Sequence, residues 1–256
     1  MRIYRKSVLP ARLIDSGGGA AARVVSVDEL RIGCNQPLPP LIEERDGRIG
    51  GFEPELARVI CEGLDWRAAW IYRPFPDLPE LLEAGEIDCI MWNFVATVER
   101  AARFALTRPY GGTDMALLVR DDAQIAGIDD LAGRTVGAVR GTTNLEQARR
   151  LPHGPSVVTY DPGLKVLGRL VEDLLEGTID AALDDEVPFR ALIARTPGLR
   201  IAGTLPTQSR YVIAFRRDDA IRRDIVDAAL ATLVASGHLA RLWERHVGAP
   251  LPVGFG

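Results

Sequence analysis

Arg100 closes the segment Thr97-Val98-Glu99-Arg100, which follows the apolar run Ile87-Asp88-Cys89-Ile90-Met91-Trp92 and a polar break at Asn93. A guanidinium fork matches a carboxylate bidentately and keeps its charge, so an arginine in such a loop is suited to holding an anionic group. Its alternative is a surface ion pair with Glu99 or Asp88, which would contribute little. Gly141-Thr142-Thr143 reads as a helix start, where free backbone N–H groups and threonine hydroxyls either donate to an anion or cap the helix. Ile179-Asp180-Ala181-Ala182-Leu183 runs into Asp184-Asp185-Glu186. Carboxylates at a strand end either meet a cation or form a solvated acidic cluster.

Other chemistries lack their residues. Cys34, Cys61 and Cys89 are scattered, with no CxxC and no metal-ligand spacing to His153, His238 or His246. They read as small buried hydrophobes, with a single Cys34–Cys89 or Cys34–Cys61 bridge left open by spacing. No Gly-x-Ser-x-Gly elbow, P-loop or HExxH occurs. Lys6 and Lys165 are the only lysines, which argues against a Schiff-base mechanism. No catalytic residue, cofactor or metal is expected.

The elements that must position these groups alternate. Leu30–Cys34 is a strand, followed by a loop through three prolines to Pro40, a polar hairpin or turn over 43–51 and a helix opening at Glu53-Pro54-Glu55 with Leu56, Val59, Ile60 and Leu64 at helical spacing. Trp70–Tyr72 is a strand, Leu78–Ala84 a helix ended by Gly85, and Ile87–Trp92 a buried strand. Arg100 then lies beyond a strand's carboxyl end, where open α/β sheets bind ligands. Farther on, Met115–Val119, Thr135–Val139, Val157–Tyr160, Ile179–Leu183 and Tyr211–Phe215 read as extended. Helices follow Thr143 and cover about 164–174, 221–236 and 238–246. Strands alternating with helices predict mainly parallel sheets with right-handed crossovers. The stretches Leu-Leu-Glu-Ala-Gly-Glu-Ile-Asp at 81–88 and Leu-Leu-Glu-Gly-Thr-Ile-Asp at 174–180 share one grammar, so two similarly built lobes are expected.

With 256 residues, 47% apolar and 26% charged, the chain can bury one large core or two modest ones. A net charge of −4 offers no global field for nucleic acid or an anionic membrane. No run of about 18 apolar residues suggests a membrane span. Residues 1–27 carry basic side chains at Arg2, Arg5, Lys6 and Arg12 and a Gly17-Gly18-Gly19 linker but no apolar segment of about 7–15 residues, so they read as a flexible tail without a visible secretory signal.

Taken together, the proline loop, Gly51-Phe52-Glu53-Pro54-Glu55-Leu56, Ile87-Asp88, Thr97-Val98-Glu99-Arg100, Gly141-Thr142-Thr143, Ile179–Asp185 and the closing Ser236–Arg245 helix resemble the polar amino-acid solute-binding proteins of ABC transporters. The resemblance spans about 30–248. It implies an α/β, two-lobed periplasmic-binding-protein type 2 fold, each lobe a mostly parallel sheet flanked by helices. The first lobe would comprise 28–112 and 209–256, the second 113–208, with two hinge crossings and a ligand cleft between them. It also implies a monomer that captures an amino acid or close relative by hinge closure and delivers it to an ABC transporter permease. A periplasmic or extracytoplasmic location goes with the family, the cytoplasm being the alternative.

Carried onto this sequence, the family pattern puts the ligand carboxylate on Arg100 and the Gly141-Thr142-Thr143 turn, and the ammonium on Asp185. Leu38 stands where an aromatic commonly covers the ligand; Phe75 keeps the second aromatic wall and Trp92 adds bulk. Two departures bear on the head group: Asn93 replaces a small residue, and Val95 replaces a Ser or Thr whose hydroxyl helps hold the ammonium. Asn35 stands where receptors for basic amino acids often carry an acid, while Asp184 and Glu186 could face a cationic side chain. The same fold is used by lyases resembling cyclohexadienyl dehydratases, acting on prephenate or arogenate. Their catalytic acid would be expected three residues beyond Asp185, where this chain has Pro188.

Overall fold

The computed structural model describes residues 29–35, 37–163 and 166–252; the expected tail over 1–27 lies outside them. The chain begins with β1 (Glu29–Cys34), a hairpin of β2 (Glu43–Arg45) and β3 (Arg48–Gly50), α1 (Phe52–Gly63), β4 (Arg67–Tyr72), α2 (Leu78–Ala84), β5 (Cys89–Ile90), α3 (Val98–Arg103) and β6 (Ala105–Leu106). It continues through β7 (Gly111–Arg120), β8 (Thr135–Val139), α4 (Thr143–Ala148), β9 (Ser156–Tyr160), α5 (Val166–Glu176), β10 (Ala181–Asp185), α6 (Glu186–Ile193) and β11 (Leu199–Tyr211). It closes with β12 (Ala214–Phe215), α7 (Ala220–Ala235) and α8 (His238–Val247).

Two five-stranded sheets define two lobes. The first has the order β4-β1-β5-β12-β6, the second β11-β7-β10-β8-β9. In the first, β1 pairs in parallel with β4 and β5, and β12 pairs antiparallel with β5 and β6. In the second, β8 pairs in parallel with β9 and β10, while β7 pairs antiparallel with β10 and β11. Both sheets are therefore mixed. The parallel part is what the strand–helix alternation predicts; β7, β11 and β12, the segments that carry the chain between sheets, supply the antiparallel part.

Alternation packs the second sheet on both faces. Leu117 and Val119 of β7 join one core with Val136 and Leu183, while Ala116 and Leu118 join another with Ile179 and Phe189. The first lobe has a single core in which Phe52, Leu56 and Ile60 of α1 meet Leu230 of α7 and Leu239 and Trp243 of α8. Trp243, read from its spacing as core, is 1% exposed. No single described helix is long and apolar enough to cross a membrane; α7 and α8 are bent by 81°.

The shared sequence grammar has one physical use in both lobes. Gly85 and Gly177 stop α2 and α5 in the left-handed region, with φ of 74° and 79°. Just beyond them, Asp88 accepts from the backbone N–H of Arg31 at 2.8 Å and Asp180 from that of Thr135 at 2.8 Å. Each aspartate thus ties the amino end of its strand to the neighbouring parallel strand. Asp88 also pairs with Arg31 and Arg222, which hold its carboxyl below the usual range.

Several expectations change in detail. The strand expected over Ile87–Trp92 keeps only Cys89–Ile90 in the ladder, because the chain leaves the sheet to build a loop. The helix α6 and most of the 13-residue β11 have no counterpart in the sequence reading. β11 carries Gly203 and Pro206, and its register against β7 shifts twice, which hides the period-2 signal. All three cysteines are free and buried, so neither conceivable bridge forms.

Candidate functional site

The loops at the carboxyl ends of the parallel strands converge on a cavity of about 40 Å³ between the lobes. From the first lobe come Asn35 and Leu38 after β1, Phe75, the loop Trp92–Val95 after β5, and Arg100 on α3. From the second come Val139 at the end of β8, Thr142, Thr143 and Asn144 at the start of α4, Val166 and Leu167 of α5, and Asp184 and Asp185 at the end of β10. Of the residues singled out from sequence, Gly141 and Glu186 stay outside the wall. The turn into α4 is made at Gly141, with a φ of 81°.

Arg100 rises from the first turn of α3, whose N-cap is Thr97: its hydroxyl accepts from the Arg100 backbone N–H at 3.2 Å. The guanidinium donates to the Val95 carbonyl at 2.7 Å and lies over the Phe94 ring at 4.2 Å and the Phe75 ring at 5.5 Å. Loss of solvent pushes it down to about 10, against the charges of Glu146, Asp185 and Glu99. Among the described residues no carboxylate forms an ion pair with it. The surface alternative fails for a specific reason: Asp88 is occupied by Arg31 and Arg222. A half-buried cation without a carboxylate partner is costly in a closed fold, and an incoming anion relieves that cost.

The opposite side is acidic and rich in acceptors. Asp185 is 1% exposed; its Oδ2 accepts from the Tyr211 hydroxyl at 2.7 Å and from Asn93 Nδ2 at 3.0 Å. Asp184 accepts from Asn144 Nδ2 at 2.5 Å and from the Asp185 N–H at 2.7 Å. Burial, above all, pushes both carboxyls up; for Asp184 the neighbouring Asp185 charge adds to it, while for Asp185 the hydrogen bonds and Arg100 oppose it. A solvated acidic cluster is thereby ruled out for Asp185. Glu186 turns away to Arg190 on the next helical turn, at 2.7 Å.

Four acceptors on cavity residues, Asn35 Oδ1, Asn93 Oδ1, Asn144 Oδ1 and Asp185 Oδ1, are buried and without a hydrogen-bond partner. In a folded protein such atoms normally find a donor. The amides of Asn93 and Asn144 each commit their NH₂ to a carboxylate, which fixes their oxygens as the atoms left over.

Behind this wall runs a second polar layer. Glu53, fully buried in the first turn of α1, accepts from the Asn93 N–H at 2.6 Å and the Tyr110 hydroxyl at 2.5 Å. Burial pushes its carboxyl up to about 7. Sequence reasoning placed Glu53 in a polar helical turn and did not foresee its burial, because the acid is enclosed by segments far away in the chain. Asn144 was missed as well. A polar residue one place into a helix carries no signal of the carboxylate it will meet. The Thr142 hydroxyl, a candidate anion donor, is committed: it donates to the Val139 carbonyl at 2.7 Å and accepts from the Leu145 N–H at 3.2 Å. The position where a lyase acid would be expected, Pro188, is buried within α6.

The model of the bacterial extracellular solute-binding proteins, family 3, matches residues 30–249. A probable amino-acid-binding protein, YxeM, of Bacillus subtilis is 26% identical over 258 residues, 96% of this chain and 94% of the relative. An L-arginine-binding protein of Pseudomonas aeruginosa is 26% identical over 229 residues, 85% of this chain and 87% of the relative. Among solved structures, a mutant arginine-binding protein of T. maritima superposes with a TM-score of 0.78 at 28% identity, covering 87% of this chain and 96% of that one.

Proposed function

We infer, on the premise that the chain belongs to the bacterial extracellular solute-binding proteins, family 3, that it captures a free amino acid in the interlobe cavity for delivery to an ABC transporter. It is a binding protein and not an enzyme: the family and its relatives are binding proteins, which favours capture over the dehydratase reading. One observation carries the assignment to a zwitterion. The unpaired cation of Arg100 and the acceptor-rich side at Asp185 line the same small cavity. In this reading Arg100 takes the ligand carboxylate and Asp185 its ammonium, while Leu38, Phe75, Trp92 and Val95 line the remainder; Thr142 and Thr143 border the anion side, and Gly141 shapes their turn.

The lobes close on the ligand about the two strands that join the sheets, near Gly111-Gly112 and Gln208-Ser209, because the closed form makes contacts that the open form lacks. Within the chain the first lobe is assigned to 28–112 and 209–256 and the second to 113–208. The chain works outside the cytoplasm, as a monomer that meets its permease when closed.

Thermal unfolding against the twenty L-amino acids, glycine betaine, prephenate and arogenate tests this. An amino acid at about 100 times its dissociation constant adds about 2.7 kcal/mol, read as a shift of a few degrees, and is recovered unchanged. Absence of any amino-acid shift, or consumption of prephenate or arogenate, would overturn the assignment.

A further inference from the structure

We propose that Asn93 and Asn144 make the site selective for a primary ammonium group, taking over the acceptor role that Val95 cannot supply. This rests on the amino-acid reading above. Three acceptors have their orientation settled by their neighbours and stand without a donor: Asn93 Oδ1, Asn144 Oδ1 and Asp185 Oδ1. All belong to one hydrogen-bonded group, since Asn93 donates to Asp185 while Asn144 donates to Asp184 Oδ1, which also accepts from the Asp185 backbone N–H. The other oxygen of Asp185 is filled by Tyr211 and Asn93.

A primary ammonium carries three N–H donors, one for each open acceptor. A secondary amine carries two, and a quaternary ammonium none. Each N-methyl group therefore leaves one buried acceptor without a partner, a larger loss than a missed contact at an exposed site. Asn93 is also held in place: its φ of 37° lies in the left-handed region that asparagine tolerates, and its N–H is fixed by Glu53 at 2.6 Å. Selection thus comes from two asparagines supplied by different lobes, so it acts only when the cleft is closed.

Isothermal titration of the full chain with paired probes tests this: glycine, sarcosine, N,N-dimethylglycine and glycine betaine; L-alanine and N-methyl-L-alanine; L-arginine and Nα-methyl-L-arginine; L-histidine and Nα-methyl-L-histidine. For any parent that binds, the first methyl group is expected to weaken binding about tenfold or more, with trimethylation abolishing it. Methylated probes binding as tightly as their parents would overturn the proposal while leaving the amino-acid reading intact. Binding by none of the twenty L-amino acids or their methylated relatives would remove both. Asn93→Gly, which keeps the backbone conformation, and Asn144→Ala should shrink the preference for the parent to a few-fold. Undiminished preference in both folded variants would deny the asparagines this role; if neither folds, the methylation series on the unaltered chain decides.

Discussion

Asn93 and Asp185 are joined by a 3.0 Å hydrogen bond between a loop of the first lobe and a strand end of the second. The bond lies in the cavity wall, and Asn93 is fixed from behind by Glu53 at 2.6 Å. Contact between the lobes and the state of the binding site are thus one piece of chemistry.

Arg100→Ala should abolish amino-acid binding, at a cost of about 2–5 kcal/mol, while leaving the unliganded protein as stable as before or more so. The reason is that the half-buried guanidinium has no carboxylate partner and donates to the Val95 carbonyl. Titration and thermal unfolding of the same variant check the two halves; a large fall in unliganded stability would show that Arg100 has a structural role.

Tyr211→Phe removes the 2.7 Å donor to Asp185 from a fully buried site. A loss of about 1–3 kcal/mol in unfolding free energy is expected at pH 8, and a smaller loss at acid pH, once the Asp185 carboxyl, raised by burial, has taken up a proton. Chemical denaturation under both conditions measures the difference.

Unliganded stability should fall as pH rises from about 4.5 toward 7. Glu53 moves from 4.5 unfolded to about 7 folded, so its contribution is fully present below the unfolded value and is lost as pH climbs through the folded one. That shift corresponds to roughly 3 kcal/mol. Asp184 and Asp185 are raised in the same sense. Asp88 and Asp227 are lowered and act oppositely, but at more acid pH. Ligand affinity should run the other way, strengthening as Asp185 ionises to meet an ammonium. Melting curves from pH 5 to 8 with and without ligand separate the two trends, and Glu53→Gln should flatten the unliganded one.

Gly111→Ala should destabilise by about 1–3 kcal/mol. A Cβ there would meet the Trp243 ring at 2.5 Å, and Trp243 is locked in the core. Denaturant titration reads the cost directly.

Much of the architecture was legible because it is local. The Gly85 and Gly177 stops, the Ile-Asp strand openings and the amphipathic α8 each announce themselves within a few residues, and each holds its place in the structure. The stretch ending in Arg100 was legible for the same reason. What escaped depends on distant partners. Glu53 looks like a solvated helix-opening acid until Asn93 and Tyr110 close over it, 40 and 57 residues away in the chain. Asn144 is ordinary until it meets Asp184, 40 residues on. β11 mixes apolar and polar residues across two register shifts, so it shows no period at all.

The paired aspartates at 88 and 180 sit at the amino ends of their strands, whereas every segment that lines the cavity leaves from a carboxyl end. The parts that hold each sheet in register and the parts that meet a solute are therefore physically separate along the same strands. Such a body can exchange residues at 35–38, 92–95 and 142–144 and acquire a different appetite while its scaffold stays unaware of the change.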